Sequence, residues 1–167
     1  MRPVHANLVA TCTPTDLFRW VEDLDWYPRW LDLVHQATPL PPEPGGFSSE
    51  AEDRRWAVVL SAAVGPLRRS KRLTMARTIH QPATAPTAPT APTDPTARVR
   101  FERREPDGKA HAAWVLDAEV KPHPEGAELV MTLSYDGRWW GPLIEGLLAE
   151  QINRARPKLA ALATDAD

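Results

Sequence analysis

The chain has one cysteine, Cys12, among its 167 residues, so no intramolecular disulfide framework can hold it together. No cysteine–histidine spacing resembles a zinc site, and no metal or cofactor is expected. It lacks an apolar run long enough to cross a bilayer, and its first residues lack the apolar segment of a signal peptide. It also lacks an excess of either charge, with a net charge of −2, which argues against a general polyanion binder. The histidines His5, His35, His80, His111 and His123 are scattered, without a nucleophile and an orienting acid at readable spacing, so no catalytic triad can be built from them. The expectation from these absences is a protein of the reducing cytoplasm that is held by its core alone.

What is present fits one globular domain: 43% of the residues are apolar, enough for a sizeable core. The richness in alanine, arginine and proline fits a GC-rich bacterial genome. The organising stretch is the last. After Trp139-Trp140-Gly141-Pro142, apolar residues recur at Leu143, Ile144, Leu147, Leu148, Ile152, Ala155, Leu159 and Leu162, the spacing of one wide stripe on a helix. Such a stripe has to be covered. Pro157 should bend this helix or loosen one of its turns, and Gly146 lets it lie close to whatever it crosses.

The segments before it alternate like strands. His5 to Thr13 reads as the first, ending at Thr13-Pro14-Thr15-Asp16, where Thr13 is placed to N-cap a helix, Pro14 to open it and Asp16 to serve as a capping-box-like acid. A short helix with Leu17, Phe18, Trp20, Val21 and Leu24 follows. Asp25 is then placed to cap a second, containing Trp26, Tyr27, Pro28, Trp30 and Leu31. Leu33 to Thr38 reads as a brief strand, and residues 39–53 as a broken polar loop. A two-residue turn at Gly65-Pro66 pairs Leu60 with Lys71, Val58 with Leu73, and Trp56 with Met75. Residues 82–96 are a proline, threonine and alanine repeat with no bulky apolar residue, and read as a disordered, dispensable insertion. Asp107-Gly108, as a two-residue hairpin loop, sets Phe101 against Trp114, Val99 against Leu116, Arg103 against Ala112, and Arg98 against Asp117. A looser turn over residues 122–126 leads to Leu129, Met131, Leu133 and Tyr135, beside Ala118, Leu116, Trp114 and Ala112.

This order, one strand, two short helices, six strands and a long helix, resembles the helix-grip fold of the START-like (SRPBCC) superfamily, which includes polyketide cyclase/dehydrase and lipid-transport domains. The resemblance rests also on residues: Pro14-x-x-Leu17-Phe18-x-Trp20-Val21-x-Asp23, then Asp25-x-Tyr27-Pro28-x-Trp30-Leu31, the run Arg98 to Glu105 with Asp107-Gly108, and the strand led by Trp114. It implies an α+β fold over residues 1–167, a curved seven-stranded antiparallel sheet around the C-terminal helix, with the two short helices between strands one and two. It is poorly specific for activity.

The inner face of that sheet carries Trp56, Val58, Leu60, Leu73, Met75, Val99, Phe101, Trp114, Leu116, Leu129, Met131 and Leu133, with Ile144, Leu148 and Ile152 facing it from the helix. Such a set either fills a core or lines a cavity for a small apolar ligand. Lys71, Arg103 and Tyr135 fall at one end of this face, near the N-terminus of the helix, so an anionic headgroup would be favoured there; alternatively both cations reach out at the rim or pair with Glu145. The leading expectation is therefore binding of a small hydrophobic molecule, lipid-like or polyketide-like. The second is an aromatase/cyclase-like enzyme in which Arg103, Tyr135 or Lys71 polarises a carbonyl or moves a proton. The third is a protein- or RNA-interaction domain using Arg68, Arg72, Arg98, Arg100 and Arg104 on the outer face, a pattern that more commonly marks a solvated sheet surface.

Overall fold

The computed structural model describes residues 2–42, 54–83, 96–137 and 141–165. The seven strands are β1 (Arg2–Ala10), β2 (Val34–Leu40), β3 (Arg55–Val64), β4 (Leu67–Gln81), β5 (Ala97–Arg103), β6 (Trp114–His123) and β7 (Gly126–Tyr135). All neighbouring pairs are antiparallel, in the order β1-β7-β6-β5-β4-β3-β2. The helix α1 (Pro14–Arg19) and a 3₁₀ helix (Leu24–Arg29) lie between β1 and β2, and α2 (Gly141–Thr164) closes the chain. Among the described residues no helix is long and apolar enough to cross a membrane. The expectations for residues 43–53, for residues 84–95 of the repeat, and for Trp139 and Trp140 lie outside the described residues.

The first helix starts as its sequence dictates. Thr13 Oγ1 accepts from the Asp16 amide at 3.1 Å and donates to the Asp16 carboxylate at 2.7 Å, with Pro14 in the first turn. The second start differs from expectation, since Asp23 and not Asp25 is the N-cap residue, and its side chain makes no cap. Both carboxylates are used for tertiary bonds instead: Asp23 binds Arg54 and Arg77, and Asp25 accepts from the Trp56 indole at 2.5 Å. The short helices are thus fastened to the start of β3 and the middle of β4. β2 runs on through Pro39 to Leu40, which an edge strand tolerates because one side of its backbone has no ladder to supply.

The β3–β4 register is the expected one, with Leu60 opposite Lys71, Val58 opposite Leu73, and Trp56 opposite Met75. The β5–β6 register is slipped by two residues from expectation: Phe101 lies opposite Leu116, Val99 opposite Ala118, and Arg100 opposite Asp117. The cause is the connection. Residues 104–113 form a long loop in which Asp107 accepts from the Lys109 amide and Gly108 takes φ +68°, so Asp107-Gly108 turns the loop without closing the ladder. Side chains alternate with a period of two, so a slip of two leaves every residue on its expected face. β7 shows the same displacement, with Tyr135 opposite Trp114, and the looser turn expected before it is a tight one closed by His123 and Gly126.

The slip also changes an ion pair. Asp117 lies between Arg98 and Arg100, bonded at 2.7 Å and 2.5 Å. Burial alone would raise its carboxyl pKa, yet the two guanidiniums hold it below the ordinary aspartate range. A depressed folded pKa stabilises the fold above the unfolded value of about 3.9 and is lost as the pH falls through the folded value. Thermal unfolding should therefore show Asp117→Asn clearly less stable than the parent at neutral pH, with the difference narrowing as acid protonates Asp117. A gap that stays constant down through the carboxylate range would mean that the pair contributes nothing through its charge.

Along α2, Leu148, Ala155, Leu159 and Ala163 are buried, and the helix packs on β1 and α1. It continues through Pro157. Fully burying each leucine contributes about 1.5–3 kcal/mol, enough to hold a helix with modest sequence amphipathicity against the sheet.

Candidate functional site

The concave side of the sheet is filled at one end and hollow at the other. At the filled end Trp56 and Phe101 meet edge to face at 5.6 Å, and Tyr27 stands edge-on to Phe101 at 6.1 Å. These three and Val99 have no exposed surface. The Tyr27 hydroxyl is buried and donates to the Val21 carbonyl at 3.0 Å, and burial pushes its pKa far up, so it serves as a fixed donor. Trp56, Val99 and Phe101 therefore belong to packed core, outside the wall of the cavity.

Towards the other end, the sheet, the 3₁₀ helix and α2 line a cavity of about 70 Å³, against the roughly 10–15 Å³ that one water needs. From the sheet its wall takes Val58, Leu60, Leu73, Met75, Trp114, Leu116, Met131 and Leu133, and from α2 Leu148 and Ile152, all expected from sequence. The Ile144 side chain lies outside the described residues. Sequence reasoning missed the remaining side of the wall: Val4 on β1, Leu24 and Tyr27 in the 3₁₀ helix, Leu31, Leu33, and Val34 at the start of β2. Leu24, Tyr27 and Leu31 recur at helical spacing, a signal that could have identified them as one inward face.

A second, smaller space of about 30 Å³ adjoins the first, sharing Leu33, Leu60, Trp114 and Leu148 with it. Its wall also takes Ser61, Arg69 and Lys71, which face the space almost entirely with their apolar atoms. Lys71 Nζ stands 5.5 Å from the Trp114 ring and 5.7 Å from the Tyr135 ring, within cation–π range of both. The two rings lie 4.6 Å apart. Gly137 leaves room for this arrangement, since a Cβ there would run into the Tyr135 hydroxyl. Burial, and then the nearby Arg103, lower the Lys71 pKa, against an opposing pull from Glu105. Burial raises that of Tyr135.

Arg103 is committed differently. Its Nε donates to Glu105 at 2.7 Å and its Nη1 to the Ala112 carbonyl at 3.3 Å, while Glu105 also accepts from the Thr74 amide. Lys71, by contrast, makes no ion pair among the described residues, and neither does Arg69.

Four buried side-chain polar atoms among the described residues have no hydrogen-bond partner: Trp20 Nε1, Thr78 Oγ1, Trp114 Nε1 and Gln151 Oε1. Of these residues Trp114 lies in the wall of both spaces, at their junction. Other indoles of the core are satisfied: Trp30 Nε1 donates to the Trp20 carbonyl and Trp56 Nε1 to Asp25. An unpaired buried N–H costs about 1–3 kcal/mol. Among the described residues no carboxylate or imidazole stands in either wall, and no group of acidic, histidine or cysteine residues could hold a metal ion.

No family model and no curated protein matches the sequence. Solved structures do. The chain is similar to TTHA0849 from Thermus thermophilus, at 18% identity and a TM-score of 0.67 with 99% of each chain covered. It is similar at 13% identity and a TM-score of 0.58, again over 99% of each chain, to a START superfamily protein from Mycobacterium smegmatis. It is also similar to the di-domain ARO/CYC StfQ from the steffimycin biosynthetic pathway, at 11% identity and a TM-score of 0.60, covering 98% of this chain and 50% of that one. Taken with the strand order and the C-terminal helix, these likenesses establish the fold: the chain has the START-like helix-grip fold.

Proposed function

We propose that the protein binds a small, mostly apolar molecule between its sheet and α2, with one polar end of the ligand at Trp114 and Lys71. The observation that carries this reading is the junction itself. A cavity with an apolar wall shares Trp114 with a second space that is lined by the apolar stems of Arg69 and Lys71, and the Trp114 N–H is buried without an acceptor. The apolar wall supplies affinity without direction, and the indole and ammonium supply orientation. A carboxylate or a polarised carbonyl oxygen suits both donors, and lipid-like and polyketide-like molecules carry such a group at the end of an apolar body. Burial and the nearby Arg103 lower the Lys71 pKa, and an anion bound beside it would act in the opposite direction.

Turnover in the same cavity is the second reading, favoured by the likeness to an ARO/CYC structure and by Tyr135 beside Lys71. With no carboxylate or imidazole in either wall among the described residues, proton transfer would fall to Lys71, since Tyr135 lines neither space.

Calorimetry with a medium-chain fatty acid and its methyl ester tests the binding reading. The acid should bind more tightly by roughly tenfold to a hundredfold, the worth of about 1.5–3 kcal/mol for a charge-assisted hydrogen bond. Lys71→Met should remove most of that preference while leaving ester binding nearly unchanged. Equal binding of acid and ester to the parent would remove the polar site. Conversion of a polyketide-like substrate that stops in Lys71→Met while binding persists would favour the enzyme.

A further inference from the structure

From Arg54 to Gln81 the chain carries Arg54, Arg55, Arg68, Arg69, Lys71, Arg72 and Arg77 and not one aspartate or glutamate, in a protein whose overall charge is −2. This stretch is the β3–β4 hairpin, and its far end leaves the sheet. The β2–β3 ladder reaches only to Val34 opposite Leu60, followed by a last backbone bond from Ser61 to Leu33. β5 joins β4 only from Met75 onward. Ala62 to Val64 and Leu67 to Arg69 therefore pair with each other and with no other strand among the described residues, while Ala62 stays buried at the base of this ribbon.

The apex is a two-residue turn in which Gly65 takes φ +60°, the conformation a tight hairpin needs at its first turn residue, and Pro66 follows. Leu67 stands next to it with 60% of its surface exposed; the only other large apolar side chain so exposed among the described residues is Val9, at 37%. Arg68, Arg69 and Arg72 are exposed and Lys71 half-buried, and opposite them β3 presents only Ser61, Ala62, Ala63 and the apolar Val59 and Leu60. No acid on the partner strand neutralises them. The arginines on the outer face in and just after β5 are different, because Arg98 and Arg100 are held by Asp117, and Arg104 stands 3.7 Å from Glu102. The basic outer face expected from the sequence thus shrinks to this ribbon.

We infer that the β3–β4 ribbon is a docking element for an anionic lipid bilayer, with Pro66 and Leu67 entering the headgroup boundary and the exposed Arg68, Arg69 and Arg72 meeting lipid phosphates. Charge complementarity names an anionic partner, and the apolar apex selects a bilayer over a nucleic acid, which would meet donors or stacking rings at that position. Arg69 and Lys71 also form part of the wall of the smaller space, so docking would bring that side of the cavity to the membrane. The docking itself does not depend on what the cavity holds.

Co-sedimentation of the full chain with vesicles of phosphatidylcholine alone, or mixed with phosphatidylglycerol, tests this. Binding should require phosphatidylglycerol and weaken with salt. Arg68→Ser with Arg72→Ser, both outside the cavity walls, should weaken it about twenty-five-fold, at about fivefold per cation. Leu67→Ser should weaken it roughly severalfold to tenfold through lost apolar burial. Circular dichroism and the thermal midpoint should match the parent for both variants, since these side chains make no core contact. Absence of binding to the mixed vesicles would overturn the inference. So would full binding by Leu67→Ser together with a gel shift of short RNA that the double arginine variant loses, which would make the ribbon a polyanion contact.

Discussion

Asp23→Ala should lower the stability of this protein by about 3–5 kcal/mol, the cost of removing one partner of a buried ion pair. Arg77 is 4% exposed, and its guanidinium donates to the Asp23 carboxylate at 2.9 Å and to the Glu22 carbonyl at 3.2 Å. Arg54 donates to the same carboxylate at 2.8 Å from a far more exposed position, 41% for its side chain. Removing Asp23 leaves the Arg77 charge in place and takes away the carboxylate bonded to it. Removing Arg54 removes one exposed partner, for which under about 1 kcal/mol is expected. In a chain of this size the Asp23→Ala loss amounts to roughly 6–20 °C in Tm, against a few degrees for Arg54→Ala. Urea and thermal unfolding decide it. Equal and small effects of the two substitutions would show that Arg77 is adequately held by its backbone partner and its remaining contacts. The effect should also reach the cavity, because Asp23 fastens the segment that carries Leu24, Tyr27 and Leu31 into its wall.

Much of the sheet was legible because strand alternation is a property of the residues themselves. The faces of Trp56, Leu73, Phe101, Trp114 and Met131 follow from it directly. Register is set by turns, and here the sequence was ambiguous. Gly65-Pro66 closes its hairpin and gave the correct pairing, whereas Asp107-Gly108 has the composition of a two-residue loop but sits inside a longer one. The strand-borne wall of the cavity was legible for the same reason as the faces. Its opposite wall was not, because Leu24, Tyr27 and Leu31 lie in and just after a short helix, where strand alternation marks no inward face. The pairing of Arg103 was also hidden. Glu105 lies just past the end of β5, where alternation no longer constrains the chain, and it folds back onto both Arg103 and the Thr74 amide. The bond between Asp23 and Arg77 spans two elements far apart in sequence, and no local pattern announces it.

Leu116→Trp should abolish ligand binding, acid and ester alike, by at least about a hundredfold. Leu116 stands on β6 between Phe101 of β5 and Leu133 of β7, with its side chain in the cavity wall. An indole at this position extends into a space of only about 70 Å³ and occupies volume the apolar body of any ligand needs. Its effect on folding is smaller, because filling a void restores dispersion contacts while any overpacking costs about 1–3 kcal/mol. If the tryptophan variant folds poorly, Leu133→Phe offers a milder filling of the same wall and should weaken both ligands together. The contrast with Lys71→Met carries the test: one substitution removes affinity whatever the headgroup, and the other removes only the discrimination between headgroups. A folded Leu116→Trp protein that still binds the acid tightly would take the ligand out of the large cavity and leave it with the smaller space beside Arg69 and Lys71.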